Sequence, residues 1–249
     1  MNLGEAMNLL LVDIGNSRIK WGFARHGKLV AQRPYTHAEG GDFAKALNKF
    51  APPDRIVVSN VSGERGKTML IEAVGPWRIE PEWVKASRYA CGVTNCYDTP
   101  DQLGADRWAA LISAHAMRLG ECLIISLGTA MTVDWLAASG DYRGGMIVPG
   151  KRLMHAALAL GTSKIDHPMG NIAGFSCNTA DAVESGSAYA LAGAVRQARE
   201  TVTAARGTPP ACLIAGGDAK WIKPMLGFQV TFAPNLVLDG LALMAREDR

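Results

Sequence analysis

The sequence has 249 residues, of which 48% are hydrophobic and 20% are charged, a composition typical of a soluble globular protein with a sizeable core. Its net charge of +3 is small and its basic residues are scattered, which argues against nucleic-acid binding. No apolar stretch approaches the ~20 residues of a membrane span, and no basic region followed by an apolar core begins the chain, so we expect neither a membrane anchor nor a signal peptide.

The cysteines agree with a cytoplasmic location. There are five of them, dispersed along the chain, and an odd, scattered set does not suggest a disulfide framework. Cys91 and Cys96 are close in sequence, but no second pair completes a metal site. We therefore expect a cytoplasmic protein with reduced thiols.

The first predicted strand, residues 8–14, ends in a carboxylate beside a small polar turn. The stretch "LLVDIGNSRIKWGF" covers residues 10–23 and places Asp13 where the apolar run should continue. Residues 19–25 and 28–33 are predicted to form a hairpin, with its turn at His26 and Gly27. A helix at 43–50, a strand at 55–60 and a helix at 65–74 follow, and a strong helix is predicted at 103–119.

The opening pattern then returns. The stretch "LIISLGTAMTVDWL" at 123–136 aligns Gly15 with Gly128 and Asn16 with Thr129. A hairpin ending in "GGMIVPG", a helix at 151–160, a long helix from Asp181, a strand into the glycine turn "IAGGDA" and a closing helix at 236–246 complete the chain. This predicts two duplicated α/β domains, 7–119 and 120–249, although any two buried hairpins with glycine turns look alike.

The two glycine turns suit phosphate oxygens, because they expose backbone N–H groups beside Asn, Ser and Thr donors. Asp13 would repel phosphate but can hold Mg²⁺, usually through water. The alternative is that Asp13 caps its turn by accepting N–H bonds from Gly15 and Asn16. Two facing turns would clamp one nucleotide in a cleft between the domains, and "IAGGDA" would allow close approach by an adenosine.

The stretch "YDTPDQLGADRWAAL" at 97–111 is the candidate site for the phosphate acceptor. Asp106 could accept a proton from a substrate hydroxyl, and Arg107 offers a planar fork for a carboxylate. The alternative is that Asp106 is a first-turn charge favoured by the helix dipole and that Arg107 is solvated.

The segments "DIGNSRIKW", "YDTPDQLGADR", "SLGTAMTVD", "GGMIVPG" and "NTADAVESG", in this order, resemble type III pantothenate kinase. That family belongs to the actin-like and sugar-kinase superfamily, with duplicated ribonuclease-H-like domains. The resemblance implies a homodimeric enzyme that uses ATP and Mg²⁺ to phosphorylate pantothenate to 4'-phosphopantothenate, the first step of coenzyme A biosynthesis. The other possibility in this family is a transcription accessory factor with weak or no kinase activity, against which the intact Asp13, Asp106 and Arg107 argue.

The resemblance also implies roles for individual residues. Asp106 would be the general base, Thr129 would contact ATP, and Thr179 would contact pantothenate from the partner subunit. The alternative for Thr179 is helix capping, with a capping-box spacing at Asp181 and Glu184. Pantothenate would be bound by Tyr97, Gly104, Ala105, Asp106 and Arg107. The first phosphate loop would contain Asp13, near Mg²⁺, with Ile14, Gly15, Asn16, Ser17, Arg18, Ile19 and Lys20.

One position departs from the family pattern. Some members carry Asp two residues before the Gly-Thr turn, where it binds a monovalent cation, and this chain has Ser126 there. A neutral hydroxyl is a much poorer cation ligand than a carboxylate. We therefore expect Mg²⁺ to be essential and potassium to be dispensable or only mildly stimulating, with ammonium able to take its place.

Overall fold

The computed structural model describes residues 7–25, 28–162 and 170–247. The predicted turn at His26 and Gly27 lies outside the described residues. The chain forms two compact units: the first contains the residues up to Arg118 and those from Asn235 onward, and the second is Leu119–Pro234.

Short strands and helices alternate in the described residues before Arg118. The strands are β1 (Leu9–Ile14), β2 (Arg18–Arg25), β3 (Lys28–Ala31), β4 (Tyr35–Thr36), β5 (Arg55–Asn60), β6 (Pro81–Trp83), β7 (Tyr89–Ala90) and β8 (Val93–Thr94). The helices are α1 (Gly40–Leu47), α2 (Glu64–Val74) and α3 (Ala105–Ala116).

The sheet of the first unit is centred on β1. Its order is β3-β2-β1-β5-β6, with β4 paired to β2. β1 is antiparallel to β2 and parallel to β5, and all six of its residues are buried. Because successive side chains of a strand point to opposite faces, Leu10 and Val12 join the core that contains Phe43 of α1, whereas Leu9 and Leu11 join the core that contains Ala109 of α3.

The second unit repeats this arrangement. Its strands are β9 (Cys122–Leu127), β10 (Ala130–Leu136), β11 (Tyr142–Pro149), β12 (Ala211–Gly216) and β13 (Thr231–Phe232), and its helices are α4 (Lys151–Gly161), α5 (Thr179–Arg206) and α6 (Ala219–Ile222). The sheet order is β11-β10-β9-β12-β13, with β9 antiparallel to β10 and parallel to β12. The same order and directions in both sheets confirm the predicted duplicated α/β fold.

The last helix, α7 (Leu236–Glu247), corrects the predicted domain boundary. It belongs to the first unit and not to a continuous second domain at 120–249. Leu238 and Leu241 pack against Leu9 and Leu11, and a Cβ atom at Gly240 would overlap the carbonyl oxygen of Ala109. The amphipathic pattern predicted the helix, but such a pattern does not reveal which sheet the helix covers.

No helix in the described part of the chain combines the length and the apolarity needed to cross a bilayer.

Candidate functional site

The first turn, residues 15–17, joins β1 to β2. The N–H of Gly15 donates to the carbonyl oxygen of Arg18 at 3.0 Å, and the carbonyl oxygen of Ile14 accepts from the N–H of Val61 at 3.0 Å. Ile14 and Ile19, which flank the turn, are fully buried in the core and anchor it there. Asn16 and Arg18 are exposed, and Ser17 and Lys20 are half-buried.

Asp13 is a buried carboxylate on the sheet face that packs against α3. It is 7% exposed and lies in register with Lys20 on β2 and Ser59 on β5. Among the described residues, its Oδ1 atom has no hydrogen-bond partner. The capping alternative is wrong for Gly15, because the N–H of Gly15 is used by Arg18.

The environment of Asp13 favours its protonated form. Burial raises the pKa of Asp13 to about 7, and the negative charge of Asp106 adds to this effect, while the charge of Lys20 opposes it. A bound cation would remove this penalty. A buried, unpartnered carboxylate oxygen therefore fits the predicted role of Asp13 near Mg²⁺.

The start of α3 places Asp106 at the helix N-terminus. Its Oδ1 accepts from the N–H of Arg107 at 2.8 Å. A Cβ atom at Gly104 would lie 2.6 Å from the same Oδ1, so only glycine leaves room for the carboxylate to fold back over the start of the helix. Ala105, the first residue of the helix, is buried.

Arg107 is buried, with 7% exposure, so the alternative of a solvated side chain is wrong. Its Nη1 donates to the hydroxyl oxygen of Tyr97 at 3.1 Å, and its guanidinium carbon lies 5.9 Å from the centre of the Tyr97 ring. The structure therefore brings Tyr97, Asp106 and Arg107 together at the start of one helix.

Asn95 holds the loop that carries Tyr97, a role that the sequence analysis missed. Asn95 is fully buried, its Oδ1 accepts from the N–H of Tyr97 at 3.1 Å, and its Nδ2 donates to the carbonyl oxygen of Pro100 at 3.1 Å. An Asn that accepts from the N–H two residues later forms an Asx turn. The sequence Asn-Cys-Tyr-Asp-Thr-Pro could have indicated this turn, because Asn, Asp and Pro are typical turn residues.

The second turn, Gly128 and Thr129, joins β9 to β10. The N–H of Gly128 donates to the carbonyl oxygen of Ala130, and the N–H of Gly150 donates to the carbonyl oxygen of Thr129, both at 3.0 Å. A Cβ atom at Gly150 would overlap the carbonyl oxygen of Gly128. The N-terminus of α4 therefore lies against the second turn and contributes partial positive charge there.

Gly216 has a packing role. A Cβ atom there would overlap the carbonyl oxygen of Leu127 on the neighbouring strand, and the φ angle is +99°. Only glycine therefore fits at this position, and the approach of an adenosine to the "IAGGDA" turn stays a prediction.

Ser126 lies near the C-terminal end of β9, half-buried. In register it faces Thr132 on β10 and Ala215 on β12. The Thr132 Oγ1 atom is buried and has no hydrogen-bond partner within the described ranges. The two residues that flank Ser126 on the adjacent strands thus carry a hydroxyl and a methyl group. The expectation about monovalent cations stays a prediction.

Thr179 is the exposed first residue of α5. The cap is Asn178, whose Oδ1 accepts from the N–H of Asp181 at 2.9 Å and whose Nδ2 donates to the carboxylate of Asp181 at 2.8 Å. The alternative that made Thr179 the cap is therefore wrong, as is the part it gave to Glu184.

Glu184 is instead a buried carboxylate that ties three helices of the second unit together. It forms an ion pair with Lys151 of α4 and accepts from the indole N–H of Trp221 of α6 at 2.9 Å. Nε2 of His155 lies 3.7 Å from its other oxygen. No local pattern indicated this cluster, because its members are far apart in the chain.

An apolar groove of about 1120 Å³ lies between α4 and α5, with Thr179 in its lining. Ala182 and Gly186 also line it, and together with Ala190 they are exposed in the single chain. The second unit therefore leaves these three small residues uncovered, whereas Gly193, further along the same helix, is half-buried.

Comparisons with known proteins agree with the resemblance. The family model of type III pantothenate kinase matches residues 9–201. A type III pantothenate kinase of Aromatoleum aromaticum is 42% identical over 240 residues, covering 96% of this chain and 98% of the relative. One of Nitrosospira multiformis is 38% identical over 239 residues, covering 96% of this chain and 91% of the relative.

Solved structures support the fold. A protein from Campylobacter jejuni, described as a Baf family transcriptional activator, superposes with a TM-score of 0.57 at 20% identity, covering 96% of this chain and 98% of that one. A protein from Sinorhizobium meliloti, described as a 2-dehydro-3-deoxygalactonokinase, has a TM-score of 0.53 at 16% identity, with coverage of 96% and 98%. At these identities the likeness concerns the fold alone.

Proposed function

Because the chain belongs to the type III pantothenate kinase family, we propose that it transfers the γ-phosphoryl group of ATP to the hydroxyl of pantothenate, giving 4'-phosphopantothenate in the first step of coenzyme A biosynthesis. The observation that carries this proposal is the start of α3. There a half-buried carboxylate, Asp106, adjoins a buried guanidinium, Arg107, and lies close enough to Asp13 to raise the pKa of that residue.

Asp106 acts as the general base that accepts the proton of the attacking hydroxyl. The hydrogen bond from the N–H of Arg107 and the missing side chain of Gly104 both hold its carboxylate over the helix start. Phosphoryl transfer has a loose transition state, so this positioning matters more than the basicity of the carboxylate.

Arg107 holds the carboxylate of pantothenate. The Tyr97 hydroxyl accepts one guanidinium N–H and so fixes the plane of the fork, which a planar, bidentate contact requires. Tyr97 lines the pocket for pantothenate. Gly104 and Ala105 contribute backbone atoms to the wall of the same pocket.

The first turn and its flanks, residues 13–20, together with Thr129 of the second turn, bind phosphate oxygens of ATP. Asp13 holds Mg²⁺ through water, and Mg²⁺ supplies charge neutralisation on the phosphates when it is bound. The unpartnered Oδ1 of Asp13 and its position opposite Lys20 support this assignment.

A monovalent cation at Ser126 is dispensable. The residues that face Ser126 on the two adjacent strands, Thr132 and Ala215, add no negative charge that would attract such a cation.

The functional form is a homodimer in which the groove between α4 and α5 receives the same face of a second copy. The support is an exposed face of small residues, where another helix can approach closely, beside the exposed side chains of Leu153 and Leu158. In this arrangement Thr179 contacts the pantothenate bound by the partner.

The dimer is tested by light scattering at the concentrations used for activity. Gly186→Arg should give a monomer with reduced activity. Ala205→Arg is the matched control, because it makes an exposed substitution roughly 28 Å away along the same helix. A wild-type monomer that is fully active would contradict the dimer and the role of Thr179.

The function is tested by a coupled assay of ADP release with and without pantothenate. ADP release should depend on pantothenate and on Mg²⁺, and a panel of hydroxy acids and sugars should not replace pantothenate. ADP release without pantothenate dependence, or dependence on another acceptor, would overturn the proposal. A role as a transcription accessory factor would instead leave no pantothenate-dependent turnover.

A cytoplasmic location of the protein stays a prediction.

A further inference from the structure

A histidine outside the motifs of the sequence analysis touches the first turn. β4 pairs with β2 directly after that turn, with Thr36 in register with Arg18 and Tyr35 with Ile19. His37 follows β4, and its Nε2 lies 2.8 Å from the carbonyl oxygen of Gly15.

The chemistry of this contact fixes the tautomer of the ring. A carbonyl oxygen can only accept, so Nε2 must carry the proton and donate it. The Nδ1 atom is buried and has no hydrogen-bond partner in the part of the chain that the structure describes. The bond to Gly15 is thus the polar contact that orients this imidazole.

The contact also fixes the direction of a backbone donor. The carbonyl of Gly15 and the N–H of Asn16 belong to the same trans peptide unit, so they point in opposite directions. Holding the Gly15 oxygen towards His37 therefore points the Asn16 N–H away from His37. Glycine restrains its own peptide least of all residues, which makes an outside restraint effective here.

His37 is itself held in place by local contacts. The carboxylate of Glu39 accepts the N–H of Thr36 at 2.8 Å and the hydroxyl of Thr36 at 2.9 Å, which closes a short helical turn around His37. The backbone that carries the ring is therefore held both by the pairing of β4 with β2 and by its own turn.

We propose that His37 is a positioning residue for nucleotide binding: it holds the Gly15–Asn16 peptide so that the Asn16 N–H points towards a phosphate oxygen of ATP. This inference rests on the proposed function for the identity of the nucleotide. His37 does not touch the reacting atoms, and its effect reaches the substrate through the backbone of the first turn.

The test compares His37→Gln with His37→Met. Both side chains are unbranched and similar in size, but only Gln keeps an N–H donor at about the distance of Nε2. For His37→Met we expect the KM for ATP to rise about five- to tenfold, the effect of losing one ordinary hydrogen bond, while the KM for pantothenate stays within about twofold. His37→Gln should restore the KM for ATP to within about twofold of wild type.

A direct readout accompanies the kinetics. Calorimetry with a non-hydrolysable ATP analogue and Mg²⁺ should show the same weakening in His37→Met and its recovery in His37→Gln. Asp42→Ala, an exposed change in α1, serves as the control and should alter neither quantity. Because this binding assay needs no acceptor, it tests His37 even if the wild-type protein fails to phosphorylate pantothenate, which would count against the proposed function alone.

Three results would overturn the inference. The first is that His37→Met binds the analogue as tightly as wild type, and the second is that both KM values rise together. The third is that His37→Gln is as impaired as His37→Met. If His37→Met does not fold, His37→Asn, whose donor is too short to reach Gly15, takes its place. Failure of that variant to fold as well would make His37 a purely structural residue.

Discussion

Replacing Asp13 with asparagine should make the free protein more stable above neutral pH while it removes activity. The reason is that the folded protein holds this carboxylate in a buried place with no hydrogen bond to Oδ1 in the described residues. Ionised Asp13 therefore costs the folded state free energy, and only the bound cation would recover it. Asparagine has nearly the same shape and carries no charge.

The size of the effect follows from the pKa of Asp13, which burial raises from its ordinary value of 3.8 to about 7. The folded state therefore binds the proton more tightly than the unfolded state, so the stability that the protonated carboxyl provides is lost as pH rises from about 4 to about 7. At ~1.36 kcal/mol per pKa unit, the full loss is roughly 4 kcal/mol. Between pH 5 and pH 8 it amounts to roughly 2–3 kcal/mol.

The assay is urea-induced unfolding of wild type and Asp13→Asn at pH 5 and pH 8, without Mg²⁺ or nucleotide and at matched ionic strength. The free energy of unfolding of the variant, relative to wild type, should increase by roughly 2–3 kcal/mol from the lower to the higher pH. Contacts that the new amide gains or loses are the same at both pH values and cancel in this comparison. Asp42→Asn, an exposed change, should show no such dependence.

A difference between the two proteins that is the same at pH 5 and pH 8, or that shrinks as pH rises, would refute the reasoning. It would mean that Asp13 ionises in the folded protein as easily as in the unfolded chain. Activity that survives in Asp13→Asn would separately refute its assignment to Mg²⁺.

Four further predictions concern the site. Asp106→Asn should lower kcat by ~10²- to 10⁴-fold with binding of an ATP analogue intact, and near-normal turnover would remove it from the mechanism. Arg107→Lys should raise the KM for pantothenate more than that for ATP, because the bidentate fork is lost; equal effects would indicate a structural residue. Gly104→Ala should displace the Asp106 carboxylate and lower kcat about 10- to 100-fold without a matching loss of stability, as denaturant unfolding would show. Because of Ser126, turnover at fixed Mg²⁺ should be similar in potassium, ammonium, sodium and a bulky organic cation, and activity that returns only with potassium would contradict this.

The local patterns of the sequence predicted the parts of the fold that depend on local order. The apolar run ending at Asp13 and its repeat before Gly128 predicted two equivalent sheets, because strand burial and turn residues are visible within a dozen positions. The burial of Arg107 was not predictable in this way, since arginine is mostly exposed and its partner Tyr97 lies in an irregular loop.

The missed parts of the site depend on tertiary contacts. His37 reaches the first turn only because β4 pairs with β2, and a strand of two residues is too short to show a pattern. In the sequence, Glu184 is indistinguishable from an exposed charged residue of a helix. Its buried contacts exist only because α4 and α6 bring Lys151 and Trp221 next to it. Asn95 is the exception, because an Asx turn is local and its signal was present.

The return of α7 to the first unit sets an order for the completion of the chain during synthesis. The second unit is one continuous stretch, Leu119–Pro234, so its sheet and helices can all be present while residues beyond it are still being added. The first unit is completed later, because until α7 emerges the sheet face that carries Leu9, Leu11 and Val57 is covered by α3 but lacks its second helix. Domains usually mature in the order in which the ribosome releases them. In this protein the unit that begins first is the last to be finished, and a nascent chain that stalls before Asn235 would present a partly uncovered apolar face to its neighbours.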